Sequence, residues 1–349
     1  MSDLRHDPVN NRWVTIAKNR RDRPMEFVPL EQARQQIICP FCNGNEEETP
    51  QALVAYRSDG SLLSSDDDQS SWTTRVIPNR YPSFSENGQP VTDDVTNQRE
   101  RKCNLDLGPY QSSGAPGIQE LVIPSPRHVS SLSELTDEEL TLSFKVYQQR
   151  LAHAESLEFV KHAMLFMNCR LEAGASLGHI HTQLIGSPVV SANIQGRTER
   201  CRSHYAKFGL TLLDSVANWE IEQEARIIEL TEDFCVVCPF ASRFAFQVWI
   251  IPRKHKNFQT CPPAVRDELA RHCQTLVSKF DTLLDNPGYN MLLHASTIAS
   301  MQKDQSESSG RDFYFELFPR LTRAAGFEWG TDIWVNPIAP EAAARRLRV

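Results

Sequence analysis

The sequence contains no apolar run near the roughly 18 residues that a membrane-crossing helix requires, and no N-terminal secretory pattern. A cytoplasmic chain with no membrane partner is therefore expected. Long basic runs are also missing and the formal net charge is −7, which argues against nucleic acid or an anionic lipid surface as partner. A disulfide framework is missing too: nine cysteines, an odd number at irregular spacing among 349 residues, read as reduced thiols. With 40% hydrophobic and 23% charged residues, the chain has enough apolar side chain for a sizeable core.

What is present is organised around Met167 to Pro188, MNCRLEAGASLGHIHTQLIGSP, and its centre His179-Ile180-His181-Thr182-Gln183. Read as a strand, this centre turns His179, His181 and Gln183 to one side at a spacing of roughly 6–7 Å. The small residues Ala173, Gly174, Ala175, Ser176 and Gly178 lead into it, so a ligand can approach the backbone closely and meet N–H groups suited to an anion. Asn168 ends an otherwise apolar strand, Met164-Leu165-Phe166-Met167. An isolated HxH more often marks hydrogen-bonded surface histidines. Here the small-residue approach, Gln183 in phase and Asn168 upstream make a candidate phosphate seat.

Cys39-Pro40-Phe41-Cys42-Asn43-Gly44 is the strongest local metal signal, a proline-turned knuckle whose two thiolates can converge on one ion. No histidine follows within zinc-finger spacing, so any further ligands must be distant in sequence. A second CxxC, Cys235 and Cys238, overlaps a predicted strand from Phe234 to Val237, where positions three apart face opposite sides. That pair is expected not to hold metal.

The order of elements suggests an internal duplication. Strands are expected at Trp13 to Ala17, within residues 72–82 with Asn79 at the exit, and at Glu120 to Ile123. A basic cluster, Arg20, Arg21 and Arg23, ends at Pro24, and residues 83–117 read as a long exposed loop. Thr136-Asp137-Glu138-Glu139 is a capping box opening a helix with apolar face Leu140, Phe144, Tyr147 and Leu151. The same succession returns later. Val248-Trp249-Ile250-Ile251-Pro252 precedes a helix opened by Pro262-Pro263, with Leu269, Cys273, Leu276 and Phe280 at matching spacing, then strands Tyr289 to His294 and Asp312 to Phe318. The expected fold class is α+β, built from two copies of one unit. The second copy carries Asp312-Phe313-Tyr314-Phe315-Glu316 where the first has HxHxQ, so chemistry is expected in the first half.

The run from Asn168 to Gln183, with Gly174-Ala175-Ser176 and HxHxQ in register, resembles the active-site segment of galactose-1-phosphate uridylyltransferases. This is a branch of the histidine-triad superfamily that includes ADP-glucose phosphorylase-like relatives. The resemblance implies two tandem histidine-triad-like units: 1–190, with the nucleophile and one structural zinc, and 191–349, catalytically degenerate. It implies His181 as the residue that becomes nucleotidylated and Cys39, Cys42, His128 and His179 as the zinc ligands. Asn168, Ser176 and Gln183 would hold the nucleotide's phosphates and ribose beside Gly174 and Ala175. Asn79 would lie near ribose or base, and Arg20 and Arg23 would meet phosphates. Arg170 departs from the pattern, since relatives carry glycine there. No second zinc is expected, because Leu210-Thr211-Leu212-Leu213-Asp214 lacks the thiolates some relatives have and Asp312 stands in a histidine's place.

A histidine suits such chemistry: neutral imidazole predominates at pH 7, attacks without a separate base and leaves phosphorus readily. The implied reaction is ping-pong transfer of UMP between UDP-glucose and galactose-1-phosphate, with nucleotide sugar and hexose-1-phosphate as partners. Alternatives are a phosphorylase acting on ADP-glucose and phosphate, or a non-catalytic nucleotide-binding protein, which Arg170 keeps open. The resemblance also implies a homodimer in which Phe327 to Asn336 completes the partner's site.

Overall fold

Strands in this protein are short and mostly sequential neighbours, and two sheets result. The computed structural model describes residues 3–7, 12–16, 38–64, 71–86, 110–295 and 313–348, and Arg20, Arg23 and Asp312 lie outside them. In chain order the strands are β1 Asp3–Asp7, β2 Arg12–Ile16, β3 Val54–Tyr56, β4 Thr74–Pro78, β5 Gln111–Gly114, β6 Ile118–Ile123, β7 His162–Cys169 and β8 Thr182–Ser187. There follow β9 Ile227–Leu230, β10 Phe234–Val237, β11 Val248–Pro252, β12 Tyr289–Ala295 and β13 Phe313–Pro319. Strands β2, β1 and β5 form a small sheet, and the other ten form one antiparallel sheet in the order β3-β4-β6-β8-β7-β12-β13-β11-β10-β9.

That order is a palindrome of roles. Helix α1, Asp137–Ser156, links β6 to β7, and the corresponding link from β11 to β12 is the long helix Pro263–Leu284. The local twofold passes through the paired residues Phe166 and Leu292 of the two central strands. Registers make the equivalence residue by residue: Leu121 faces Gln183 as Trp249 faces Glu316. Tyr314 therefore takes the place of His181, and Glu316 that of Gln183. The chain is one α+β body with a continuous sheet across the seam.

Local chemistry explains the two long helices. Thr136 and Glu139 close a reciprocal capping box at the start of α1, and Leu140, Phe144, Tyr147 and Leu151 are all fully buried. The Pro263–Leu284 helix begins with proline at its first turn and buries Leu269, Cys273, Leu276 and Phe280. Each such side chain taken out of water contributes about 1.5–3 kcal/mol before entropy is counted. These helices cover one face of the sheet. Strand β7 alternates half-buried and buried residues, so His162, Met164, Phe166 and Asn168 look onto the other, more open face.

Several elements were not anticipated. Helix α2, Ala192–Phe208, buries no residue at all, and helix α3, Leu212–Gln223, is started by Thr211 accepting from the Asp214 amide. The Pro263–Leu284 helix is thus α4, followed by the short α5, Gly326–Thr331, and α6, Pro340–Leu347. The expected loop over 83–117 is corrected at its end: Gln111–Gly114 is strand β5, pairing with β1. Its polar serines conceal it, because an edge strand of a small sheet needs no apolar alternation. No helix among the described residues is long and apolar enough to cross a membrane.

Candidate active site and metal centre

The knuckle residues Cys39 and Cys42 meet His179, from the approach to β8, and His128, from the loop after β6. One ligand atom of each of the four lies within 4.8 Å of every other. His179 Nδ1 is 3.6 Å from Cys39 Sγ and 3.7 Å from Cys42 Sγ, and His128 Nδ1 is 3.4 Å from Cys42 Sγ. Tetrahedral bonds of about 2.3 Å to sulfur and about 2.0 Å to nitrogen put such ligand atoms about 3.5 Å apart. The donor set and its spacing fit one metal ion.

Second contacts point the ligands. His179 Nε2 donates to the Ser125 carbonyl at 3.1 Å, which leaves Nδ1 facing the thiols. The Ser125 hydroxyl in turn donates to Glu139, the same carboxylate that closes the α1 capping box. Burial, with His128 and His181 nearby, pushes the His179 pKa down to about 3, so the ring is neutral and able to ligate. Burial pushes the Cys39 thiol up to about 12, with Cys42 adding to it against an opposing backbone bond. A bound cation would therefore have to displace that proton. The other CxxC is different: Cys235 sits in a side cluster with Ala217 and Ile251, while Cys238 joins the main core.

His181 lies two residues beyond His179, just before β8 begins, and the expected alternation holds: Ile180 and Thr182 turn toward the helix side, while the rings of His179 and His181 both meet Phe41. His179 faces the two thiols. His181 instead borders a cleft of about 100 Å³ shared with Phe41, Asn79, Ser176, Leu177 and Pro40. The Phe41 ring stands edge-on to both imidazoles, 6.0 Å from that of His179 and 5.2 Å from that of His181. His181 Nδ1 donates to the His179 carbonyl at 2.9 Å, which fixes the tautomer with its lone pair on Nε2.

The remaining expected residues divide. Asn79, Ser176 and His181 share the cleft, while Gln183 and Asn168 sit on the adjoining open face of the sheet. Gly174 has φ +88° and Arg170 has φ 67° with ψ 167°, a backbone shape that glycine adopts most cheaply. Arg170 thus holds a glycine-like backbone, tied down because its guanidinium donates to the Pro287 carbonyl at 2.8 Å and reaches Asp281 at 3.5 Å. The amides of Gly174 and Ala175 donate to the Leu171 and Arg170 carbonyls. Those N–H groups shape the turn and are not the anion donors that the small-residue run suggested.

No family model matches the chain. An ADP-glucose phosphorylase of Arabidopsis thaliana is 27% identical over 350 residues, spanning 99% of this chain and 92% of its own length. A galactose-1-phosphate uridylyltransferase of Thermotoga maritima is 26% identical over 357 residues, 100% of this chain and 98% of that protein. Its homologues are uridylyltransferases of this kind and ADP-glucose phosphorylases. Among solved structures, the Arabidopsis ADP-glucose phosphorylase with bound ADP-glucose superposes with a TM-score of 0.72 at 27% identity, over 100% of this chain and 99% of that one. A uridylyltransferase mutant at 20% identity, TM-score 0.75, shares the fold.

The second half holds a buried charge cluster in place of this chemistry. Glu316, 1% exposed, accepts from His294 Nε2 at 2.6 Å, from Arg243 at 3.1 Å and from Gln247. Burial raises its carboxyl, but His294 and Arg243 together hold it down at about 2. Composition gave no sign of this network, since His294, Arg243 and Glu316 are far apart in sequence. The internal repeat was the one signal that could have pointed to it.

Proposed function

We propose that the chain is a nucleotidyltransferase that passes a nucleoside monophosphate from a nucleotide sugar to a second phosphate through His181. The observation that carries this reading is the Nδ1–H bond of His181 to the His179 carbonyl, which puts the lone pair on Nε2 of a ring that borders the cleft. In the first half-reaction Nε2 attacks the α-phosphorus, the P–O bond to the sugar phosphate breaks, and the sugar-1-phosphate leaves. In the second, an acceptor phosphate oxygen attacks the same phosphorus and His181 regains its lone pair. Gln183, Ser176 and Asn168 offer polar groups to the phosphoryl oxygens, Asn79 lies toward ribose and base, and Arg20 and Arg23 complete the set by resemblance. Cys39, Cys42, His128 and His179 would hold one zinc, whose contribution when bound is to tie the knuckle to the segment carrying His181.

The expected pair of substrates is UDP-glucose and galactose-1-phosphate. A second reading, ADP-glucose with inorganic phosphate, is favoured by the end-to-end likeness to a phosphorylase solved with ADP-glucose bound. The third reading, a non-catalytic nucleotide-binding protein, is less favoured, because Arg170 adopts a glycine-like backbone at this turn. Residues 1–190 and 191–349 are read as the catalytic and degenerate halves. The test is an exchange panel of UDP-glucose and ADP-glucose against galactose-1-phosphate and phosphate. Transfer in none of the four combinations would overturn the proposal.

A further inference from the structure

Amide side chains look alike at both ends, so which end faces a ligand is decided by what holds the other. In this protein two candidate phosphate-contacting amides are each held by a second amide, and each second amide is anchored by a backbone group that can act in one way only. The Ser83 backbone N–H donates to Gln119 Oε1 at 2.8 Å. An N–H cannot accept, so Gln119 must present Nε2 to its other neighbour, and it does so to Gln183 Oε1 at 3.2 Å. The carbonyl of Ala173 accepts from Asn290 Nδ2 at 3.0 Å, and the same Nδ2 donates to Asn168 Oδ1 at 2.8 Å. Gln119 and Asn290 are both buried, at 4% and 8% exposure.

The second half supplies an internal control. There the Arg243 backbone N–H donates to Gln247 Oε1 at 2.6 Å and Gln247 Nε2 donates to Glu316. Gln247 is the register equivalent of Gln119, and Glu316 that of Gln183. A carboxylate has no donor end to offer, so the polarity of the second-half relay is beyond doubt, and the first-half relay runs the same way.

We propose that Gln119 and Asn290 are positioning residues that take the carbonyl ends of Gln183 and Asn168, so that both site amides turn their NH₂ groups to the phosphoryl oxygens. This rests on the nucleotidyl-transfer reading above. Phosphoryl oxygens only accept, and a glutamine turned the other way would set a carbonyl against developing negative charge. Asn290 lies on β12, so the degenerate half contributes to the site by orienting Asn168 across the seam.

The test is a double-mutant cycle on the rate of His181 nucleotidylation. Gln119→Leu should slow that step about tenfold or more, given the weight of a single oriented donor, with KM for the nucleotide sugar changed far less. In a Gln183→Ala background the same Gln119→Leu change should have almost no further effect. Asn290→Ala and Asn168→Ala should couple in the same manner. Equal losses in both backgrounds would overturn the proposal. A substrate-free measurement separates it from the function reading. In Gln119→Glu the new carboxylate still accepts from Ser83 and forces Gln183 to turn its NH₂ inward. The Gln183 side-chain NH₂ resonances, assigned by their loss in Gln183→Glu, should then move downfield. Unmoved resonances overturn the positioning role, whereas moved resonances in a protein that transfers no nucleotide overturn only the proposed function.

Discussion

His181 Nδ1 donates to the main-chain carbonyl of His179, 2.9 Å away, so the backbone of a candidate metal ligand orients the candidate nucleophile. Incubation with a radiolabelled nucleotide sugar and no acceptor should leave an acid-labile, base-stable label on the protein. His181→Asn should abolish the label with metal content and folding unchanged, because asparagine keeps polarity without attacking phosphorus. His181→Gly with added imidazole should recover one half-reaction. Undiminished activity in the Asn variant would place the chemistry elsewhere.

Elemental analysis should find about one zinc per chain. Cys39→Ala should lose it and lower the melting temperature well before it alters intrinsic chemistry, since a structural metal contributes folding free energy directly. His128 is exposed while His179 is fully buried, so chelator attack should begin at the His128 side. His128→Ala should therefore weaken retention less than His179→Ala. Two metals per chain, or none in well-folded protein, would contradict this.

Arg170 holds a glycine-like backbone at a cost of order 1–3 kcal/mol, offset by its bonds to Pro287 and Asp281. Arg170→Ala keeps the strain and loses the bonds, whereas Arg170→Gly loses both. Denaturant unfolding should rank Gly above Ala by about 1 kcal/mol. An Ala variant at least as stable as Gly would show that the turn carries no such strain.

Acid should destabilise the second half. Glu316 is held near 2, so its contribution is present above its unfolded value of 4.5 and disappears as pH falls from 4.5 toward 2. His294 is depressed below 6.5, by burial foremost, so below that pH the unfolded chain takes up a proton that the folded chain does not, and stability falls again with falling pH. The urea midpoint should decline from pH 6.5 downward and more steeply below 4.5. Glu316→Gln should flatten the lower segment and cost about 1–2 kcal/mol at pH 7, because the partly exposed Arg243 and His294 lose a charged hydrogen-bond acceptor. A midpoint that rises on acidification would refute the assignment.

The apolar side chains Phe327, Trp329 and Ile333 are exposed around α5, at 54%, 67% and 60%. A homodimer covering this segment is expected to give twice the chain mass in sedimentation at micromolar concentration. Trp329→Glu should shift it toward monomer and reduce transfer if the segment completes the partner's site. A fully active wild-type monomer would end the idea.

The periodic helices, the capping box at Thr136, the knuckle at Cys39 and the HxHxQ run were legible because each is a local pattern, set by spacing within a dozen residues. The Leu213, Val216, Ala217 and Ile221 stripe of α3 went unread, and helix α2 was not legible, because it buries no residue and so leaves no apolar stripe. Strand β5 was hidden for the same reason at the edge of its sheet.

The sequence by itself determined that one succession of elements recurs, that only its first copy carries HxHxQ, and that Cys39 and Cys42 form a proline-turned knuckle, since residue type and short-range order suffice for these. Only the tertiary structure decided that His179 and His181 part company, one to the thiols and one to the cleft. It alone showed that Arg170 holds a glycine-like backbone and that Gln119 and Asn290 donate to the carbonyl ends of Gln183 and Asn168. Those relations join residues from 64 to 122 positions apart, and a hydrogen bond's polarity depends on which backbone group the fold brings to its far end.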